Sequence, residues 1–414
     1  MNVRTPARGL SWLSDRTMTS LAERVGLAAA ARIKVGCLTV VLPDGRRQVF
    51  GDPSSERHGE IHIHDEAAAV RLLLGGETGA GEAYMDGLWS SPDLEALIEL
   101  AALNRSALAL ADGWWRVPVQ LTKTLAHRGR RNTRDQARQN IAAHYDLGND
   151  FYRLFLDRSM TYSSAVFESP DQTLEDAQRA KYQRIADGAG LQPGMHVLEI
   201  GCGWGGFALY AAGERGCRVT SVTISREQHD LARDRVREAG LEDLVDIQLC
   251  DYREIEGTFD AVVSIEMLEA VGAEYYEAYF GAVDRALRPG GKLSLQVITF
   301  PDATYEYQRG GANWIQTYIF PGGLCPSLSV MERSLHRTRL LVRQVSDIAP
   351  SYARTLRAWR MRFLENLDAV RAQGFDDRFI RMWEYYLAIS EAGFATGQTQ
   401  DLQLVLEKAR GLDT

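Results

Sequence analysis

Residues 197–206, Val-Leu-Glu-Ile-Gly-Cys-Gly-Trp-Gly-Gly, limit what this chain can fold into more than any other stretch does. An apolar run of strand length carries an acid, Glu199, and passes into Gly201, Gly203, Gly205 and Gly206 before a helical pattern begins. Glycines let the backbone take positive φ and approach a ligand closely. Loops at the carboxyl ends of parallel strands are where open α/β sheets bind their ligands. The neighbouring text agrees. Residues 196–200, 218–224, 245–250, 259–265 and 292–298 read as apolar strands, with helical stretches such as 225–239 and 273–287 between them. That alternation predicts a doubly wound, mostly parallel sheet with crossover helices.

The loop also narrows the ligand. A dinucleotide enzyme would use G-x-G-x-x-G to seat a pyrophosphate on the helix N-terminus. Here an acid stands two residues before the glycines, a partner for a cationic ligand end. S-adenosylmethionine carries an ammonium and a sulfonium, so it is the expected cofactor. Thr223 and Gln228 are candidates for its ribose hydroxyls. Asp251 is a candidate for the adenine amine and Tyr252 for covering the ring. A helix cap or a plain strand-end turn would use the same residue types.

The 414 residues hold two or three domains. Upstream, 37–41 and 47–50 flank the turn Pro43-Asp44-Gly45, 60–64 alternates like a third strand and 66–74 reads as helix. Gly75, Gly76, Gly79, Gly81 and Gly87 are expected to break the chain before a helix over 92–110. The expected division is a smaller α+β, lipid-engaging domain over 1–122, a basic linker over 123–139 and a methyltransferase domain over 140–414. In the linker, Lys123, Arg128, Arg130, Arg131, Arg134 and Arg138 face one acid, Asp135. Such a run is either a solvated helix or a landing patch for anionic lipid headgroups.

A formal net charge of −8 argues against nucleic acid as partner. Five scattered cysteines without metal-ligand spacing point to a reducing compartment, with neither a disulfide frame nor a metal. No apolar run suits a bilayer span, and the first residues lack the apolar core of a signal peptide. A cytoplasmic protein with peripheral contact to the inner face of the membrane is expected.

Several longer motifs carry a family resemblance. Asn-Ile-Ala-Ala-His-Tyr-Asp-Leu-Gly-Asn-Asp-Phe-Tyr at 140–152, Met-Thr-Tyr-Ser-Ser-Ala at 160–165, and the segments 198–206, 222–228, 264–272, 314–327 and 351–359 resemble the cyclopropane fatty acid synthase family. The likeness runs over roughly residues 130–408, and 81–89 resembles that family's N-terminal domain. It implies a class I, Rossmann-like α/β methyltransferase acting on the cis double bond of unsaturated acyl chains in phospholipids. The alkene attacks the sulfonium methyl, and a bound bicarbonate deprotonates the resulting carbocation as a cyclopropane closes. Carried over by motif, Tyr162, Ser163, Gly201, Gly203, Thr223, Gln228, Tyr252 and Arg253 line the S-adenosylmethionine pocket, joined from the reading above by Glu199, Gly205 and Asp251. Ser164, Glu269, Gln296, Ile298 through its backbone, and Tyr352 surround the bicarbonate, and Glu266 is a rival for the role of Glu269.

Three positions depart from the pattern. Many members have cysteine at Ser164 and histidine at Gln296 and Ala270, and neither serine nor an amide titrates near neutral pH. One branch with a similar Ser-Ile-Glu-Met…Glu-Ala-Val-Gly segment forms an exocyclic methylene, the alternative product to the ring. Tyr145, Tyr162, Trp314, Tyr318, Phe320 and Tyr352 are candidates to shelter a cation at about 0.5–2 kcal/mol each, or to serve simply as core. The implied partners are an unsaturated phospholipid and an anionic membrane surface, with a homodimer left open. Two other classes compete: a methyltransferase of polar small molecules, and an inert lipid-binding scaffold.

Overall fold

The computed structural model describes residues 16–108, 147–310 and 313–411 and divides into two compact units. In the first, β1 (Cys37–Val41) pairs antiparallel with β2 (Arg47–Gly51) and parallel with β3 (His58–Ile63), which pairs with β4 (Trp89–Ser90). Helices α1 (Arg16–Ala30), α2 (Ala67–Met85) and α3 (Leu94–Leu103) accompany this sheet. The break expected at the glycine-rich stretch falls at Gly76 (φ 57°, ψ −139°), where two helices meet across a kink, and the second runs on past Gly79 and Gly81 to Met85.

Residues 376–392 join this unit although they lie far along the chain. In the helix Asp377–Ala395, Glu384 accepts from the Tyr84 hydroxyl (2.8 Å), Arg378 pairs with Asp86 (2.9 Å), and Tyr385 faces the rings of Tyr84 and Trp89. The basic linker over 123–139 lies outside the described residues, as do Tyr145 and the start of the 140–152 motif.

The second unit is built on a seven-stranded sheet of order β10-β11-β9-β8-β5-β6-β7. Strands β5 (His196–Ile200), β6 (Arg218–Thr223), β7 (Val245–Leu249), β8 (Phe259–Ile265) and β9 (Leu287–Thr299) are parallel. β11 (Gln400–Lys408) pairs antiparallel with β9 and with the edge strand β10 (Leu340–Asp347), which therefore runs the same way as β5 to β9. Val197, Leu198, Val262 and Val263 are fully buried, as interior strands covered on both faces require. Helices α4 (Leu174–Ala189), α5 (Gly206–Gly213), α6 (Arg226–Glu238), α7 (Tyr276–Ala286) and α8 (Ala349–Glu365) complete the doubly wound, class I methyltransferase fold.

In this sheet β5 to β9 fall close to where the sequence places them, and β10 falls where it reads as a strand over 342–348. β11 is absent from the sequence reading, yet it inserts between β9 and β10. Chain order reverses between β5 and β8, and the carboxyl edge at such a switch point is where these sheets open a crevice. No helix among the described residues is long and apolar enough to cross a membrane.

Candidate active site at the switch point of the sheet

The glycine loop after β5 is fastened to β6, because the N–H groups of Gly201 and Cys202 both donate to the Val222 carbonyl at 3.0 Å. Gly201 has φ 92°, and a Cβ there would lie 2.9 Å from Met267. Only glycine fits. Gly203 and Gly205 also have positive φ and carry the chain into α5. Beneath the loop Glu199 is buried, accepts from Ser221, and is pushed up to about 8 by burial. An incoming cation would favour its ionised form.

The other expected cofactor residues line the same edge. Thr223 donates to Gln228 (2.9 Å), and Ser225 caps α6 by accepting from the Gln228 N–H. After β7, both Asp251 oxygens hold Arg253 (2.8 and 2.6 Å), whose guanidinium lies over the ring of Tyr252. Asp251 is thus a brace for Arg253 and for its own turn. Tyr162 packs between Tyr152 and Trp359, each 5.3 Å away by ring centroid. Ser163 accepts from Lys181 through its hydroxyl (2.6 Å) and from Gln178 through its carbonyl (2.9 Å).

The five positions expected around bicarbonate do converge, but on carboxylates of the chain itself. Glu266, one residue past β8, accepts from the Ser164 N–H (2.8 Å), the Gln296 amide (2.7 Å) and the Tyr352 hydroxyl (2.7 Å). The Ile298 N–H donates to Glu269. The Ser164 hydroxyl turns away to the Ala165 carbonyl. Gln296 also donates to Asp401 (3.1 Å) and accepts from Gln403 (3.0 Å), both on β11.

Burial pushes all three acids up, Glu269 to about 8, and it pushes Lys181 down to about 8. Three hydrogen-bond donors and the Lys181 charge all act on Glu266, so a single negative charge is best held there. Glu269 Oε2 is buried without a hydrogen-bond partner among the described residues. A free bicarbonate would find its expected donors taken and would add a further anion beside three buried acids. The residues present do not fit it.

Glu266 has φ 47°, one of two positive-φ residues other than glycine among those described. An L-residue pays about 1–2 kcal/mol for that conformation, and its three hydrogen bonds offset the cost. Beside the cluster, Tyr352 stacks on Phe394 (4.2 Å) and meets Trp359 edge-on (6.3 Å), which continues to Tyr162. Trp314 and Tyr318 pair separately at 5.4 Å.

Sequence reasoning passes over Lys181, Gln178, Asp401 and Gln403. For the first two a signal exists. Leu174, Ala177, Gln178, Lys181 and Ile185 share the buried stripe of α4, where a lysine calls for a buried partner.

Comparison with known proteins decides the family. A family model described as mycolic acid cyclopropane synthetase matches residues 132–404. The chain belongs to that family. It is 44% identical to tuberculostearic acid methyltransferase UfaA1 of Mycobacterium tuberculosis, over 89% of this chain and 87% of that protein. It is 36% identical to the cyclopropane-fatty-acyl-phospholipid synthase of Escherichia coli, over 84% and 88% respectively. Among solved structures, mycolic acid cyclopropane synthase CmaA1 complexed with SAH and CTAB is similar at a TM-score of 0.61 and 31% identity, covering 66% of this chain and 98% of that one. As a member of the family the chain is an S-adenosylmethionine-dependent methyltransferase.

Proposed function

We propose that the enzyme transfers the methyl group of S-adenosylmethionine to the cis double bond of an unsaturated fatty acyl chain in a phospholipid, giving a cyclopropane. One observation carries the reading. The aromatic series Tyr162, Trp359 and Tyr352 runs from the cofactor motif to a buried carboxylate cluster. Alkylating an alkene creates a carbocation, which needs a water-excluding site, aromatic faces to shelter charge, and a base for the surplus proton. Methylation of an amine or hydroxyl needs no such shelter. The relatives' names point to the same substrate class.

Glycines 201, 203 and 205 with Thr223 and Gln228 are suited to hold the cofactor. Glu199 would meet its cationic end, and Tyr252 with Arg253 would meet the adenine side. Bound there, S-adenosylmethionine supplies the electrophilic methyl. Bicarbonate, the base implied by the family resemblance, is left out of this reading because its donors are engaged.

A second product has its own support. The more similar of the two named relatives is a tuberculostearic acid methyltransferase rather than a cyclopropane synthase. A hydride shift before proton loss would give an exocyclic methylene in place of the ring. Peripheral membrane contact through residues 123–139 belongs to the proposal, and oligomeric state stays open.

Lipids from cells expressing the chain and fed methyl-labelled methionine test the reading. Mass spectrometry should find the label in acyl chains one methylene heavier than the unsaturated precursors. Label confined to headgroups or to water-soluble products would sink it.

A further inference from the structure

We propose that Glu266 is the built-in base of this enzyme, its carboxylate taking the place of a dissociable anion. The inference rests on the acyl-methylation reading and says where the proton goes. The Glu266 carboxylate is gripped by Ser164 N–H, the Gln296 amide and the Tyr352 hydroxyl, three of the five positions expected to hold bicarbonate. The chain delivers it there through a left-handed backbone at φ 47°, a conformation that favours glycine. The next residue, Met267, is the side chain that a Cβ on Gly201 of the cofactor loop would meet, and Tyr352 belongs to the aromatic series. Glu266 therefore stands between the methyl donor's loop and the sheltering rings.

Glu269 and Asp401 do not compete for the role. Glu269 accepts from the Ile298 N–H, and Asp401 accepts from Gln296 and shares a hydrogen bond with the Glu266 carboxyl itself; neither gathers the three donors that hold Glu266. Lys181 supplies the positive charge facing Glu266.

The step balances without any further reagent. The alkene π pair bonds to the methyl carbon as the sulfur–carbon bond breaks, and the pair from that broken bond stays on sulfur. The cation left on the neighbouring acyl carbon loses a proton to Glu266. In ring closure the proton comes from the new methyl, and its C–H pair forms the third ring bond. In the methylene route a hydride shift comes first, and the C–H pair becomes the new double bond. Glu266 ends as a carboxylic acid beside Asp401 and Tyr352.

The test uses the full chain with S-adenosylmethionine and vesicles of monounsaturated phospholipid, in buffer stripped of carbon dioxide or supplemented with millimolar bicarbonate. Wild-type turnover should be the same in both buffers within about twofold. Glu266→Gln should lower turnover by about 100-fold or more, the scale of losing a positioned base. Its S-adenosylmethionine affinity by calorimetry should stay within about threefold, showing that the fold is intact. Glu266→Gly, which relieves the backbone and vacates the donors, should turn over slowly in stripped buffer and gain about tenfold or more with bicarbonate. Wild-type turnover that falls on stripping and returns with bicarbonate would overturn the proposal, as would wild-type rates in Glu266→Gln. No labelled lipid from the wild type in either buffer would instead remove the acyl-methylation reading, and this inference with it.

Discussion

Glu269 shows how one residue can change meaning between text and structure. The motif marks it as a site carboxylate, and the fold holds it as an acid, pushed up to about 8 by burial and by neighbouring Glu266. A group whose folded pKa is raised binds its proton more tightly in the native state. Its contribution to stability is complete below the ordinary glutamate value of 4.5 and is lost as pH rises through about 8. Glu269→Gln cannot ionise and escapes that loss. Melting curves should therefore show the variant gaining on the wild type between about pH 5 and about pH 9, by on the order of 1.4 kcal/mol for each tenfold difference in proton affinity between the folded and unfolded chain. A difference that does not change with pH contradicts the assignment. The other member of the pair is legible only in part. Glu266 can be named as a rival from spacing, but its backbone conformation and three donors come from separate parts of the chain.

At the scale of elements, local signals read well and long-range ones do not. The strand, acid and glycines over 197–206 form β5 and its loop because periodicity and glycine chemistry act within a few residues. β11 escapes the sequence reading although Leu402, Leu404 and Leu406 alternate as a half-buried strand should. The helices before it, α8 and Asp377–Ala395, give no hint that the chain returns between β9 and β10. That omission removes Asp401 and Gln403 from view, and with them half of the surroundings of Gln296. The glycine cluster around α2 reads only in part. Gly76 kinks the helix and Gly87 (φ 73°) follows its end, but Gly75, Gly79 and Gly81 stay helical in a segment held by its neighbours.

For the whole molecule, the formal charge of −8 opposes an anionic membrane, so approach depends on local positive charge. Replacing Arg128, Arg130, Arg131 and Arg134 with glutamine should weaken cosedimentation with phosphatidylglycerol vesicles. Each cation lost is worth about 1 kcal/mol at low salt, and rising salt should screen the difference away. Unchanged binding at low salt contradicts the landing patch. Catalysis asks something else of the molecule: that a sulfonium methyl meet a chain carbon where water cannot reach. The direct measurement is carbon NMR of phospholipid treated with the purified enzyme and S-adenosylmethionine carrying carbon-13 in its methyl group. Methylation of an alkene predicts labelled carbon bonded only to acyl carbons of the former double bond, as ring or as methylene. Labelled carbon bonded to oxygen or nitrogen, with the double bond untouched, would contradict it.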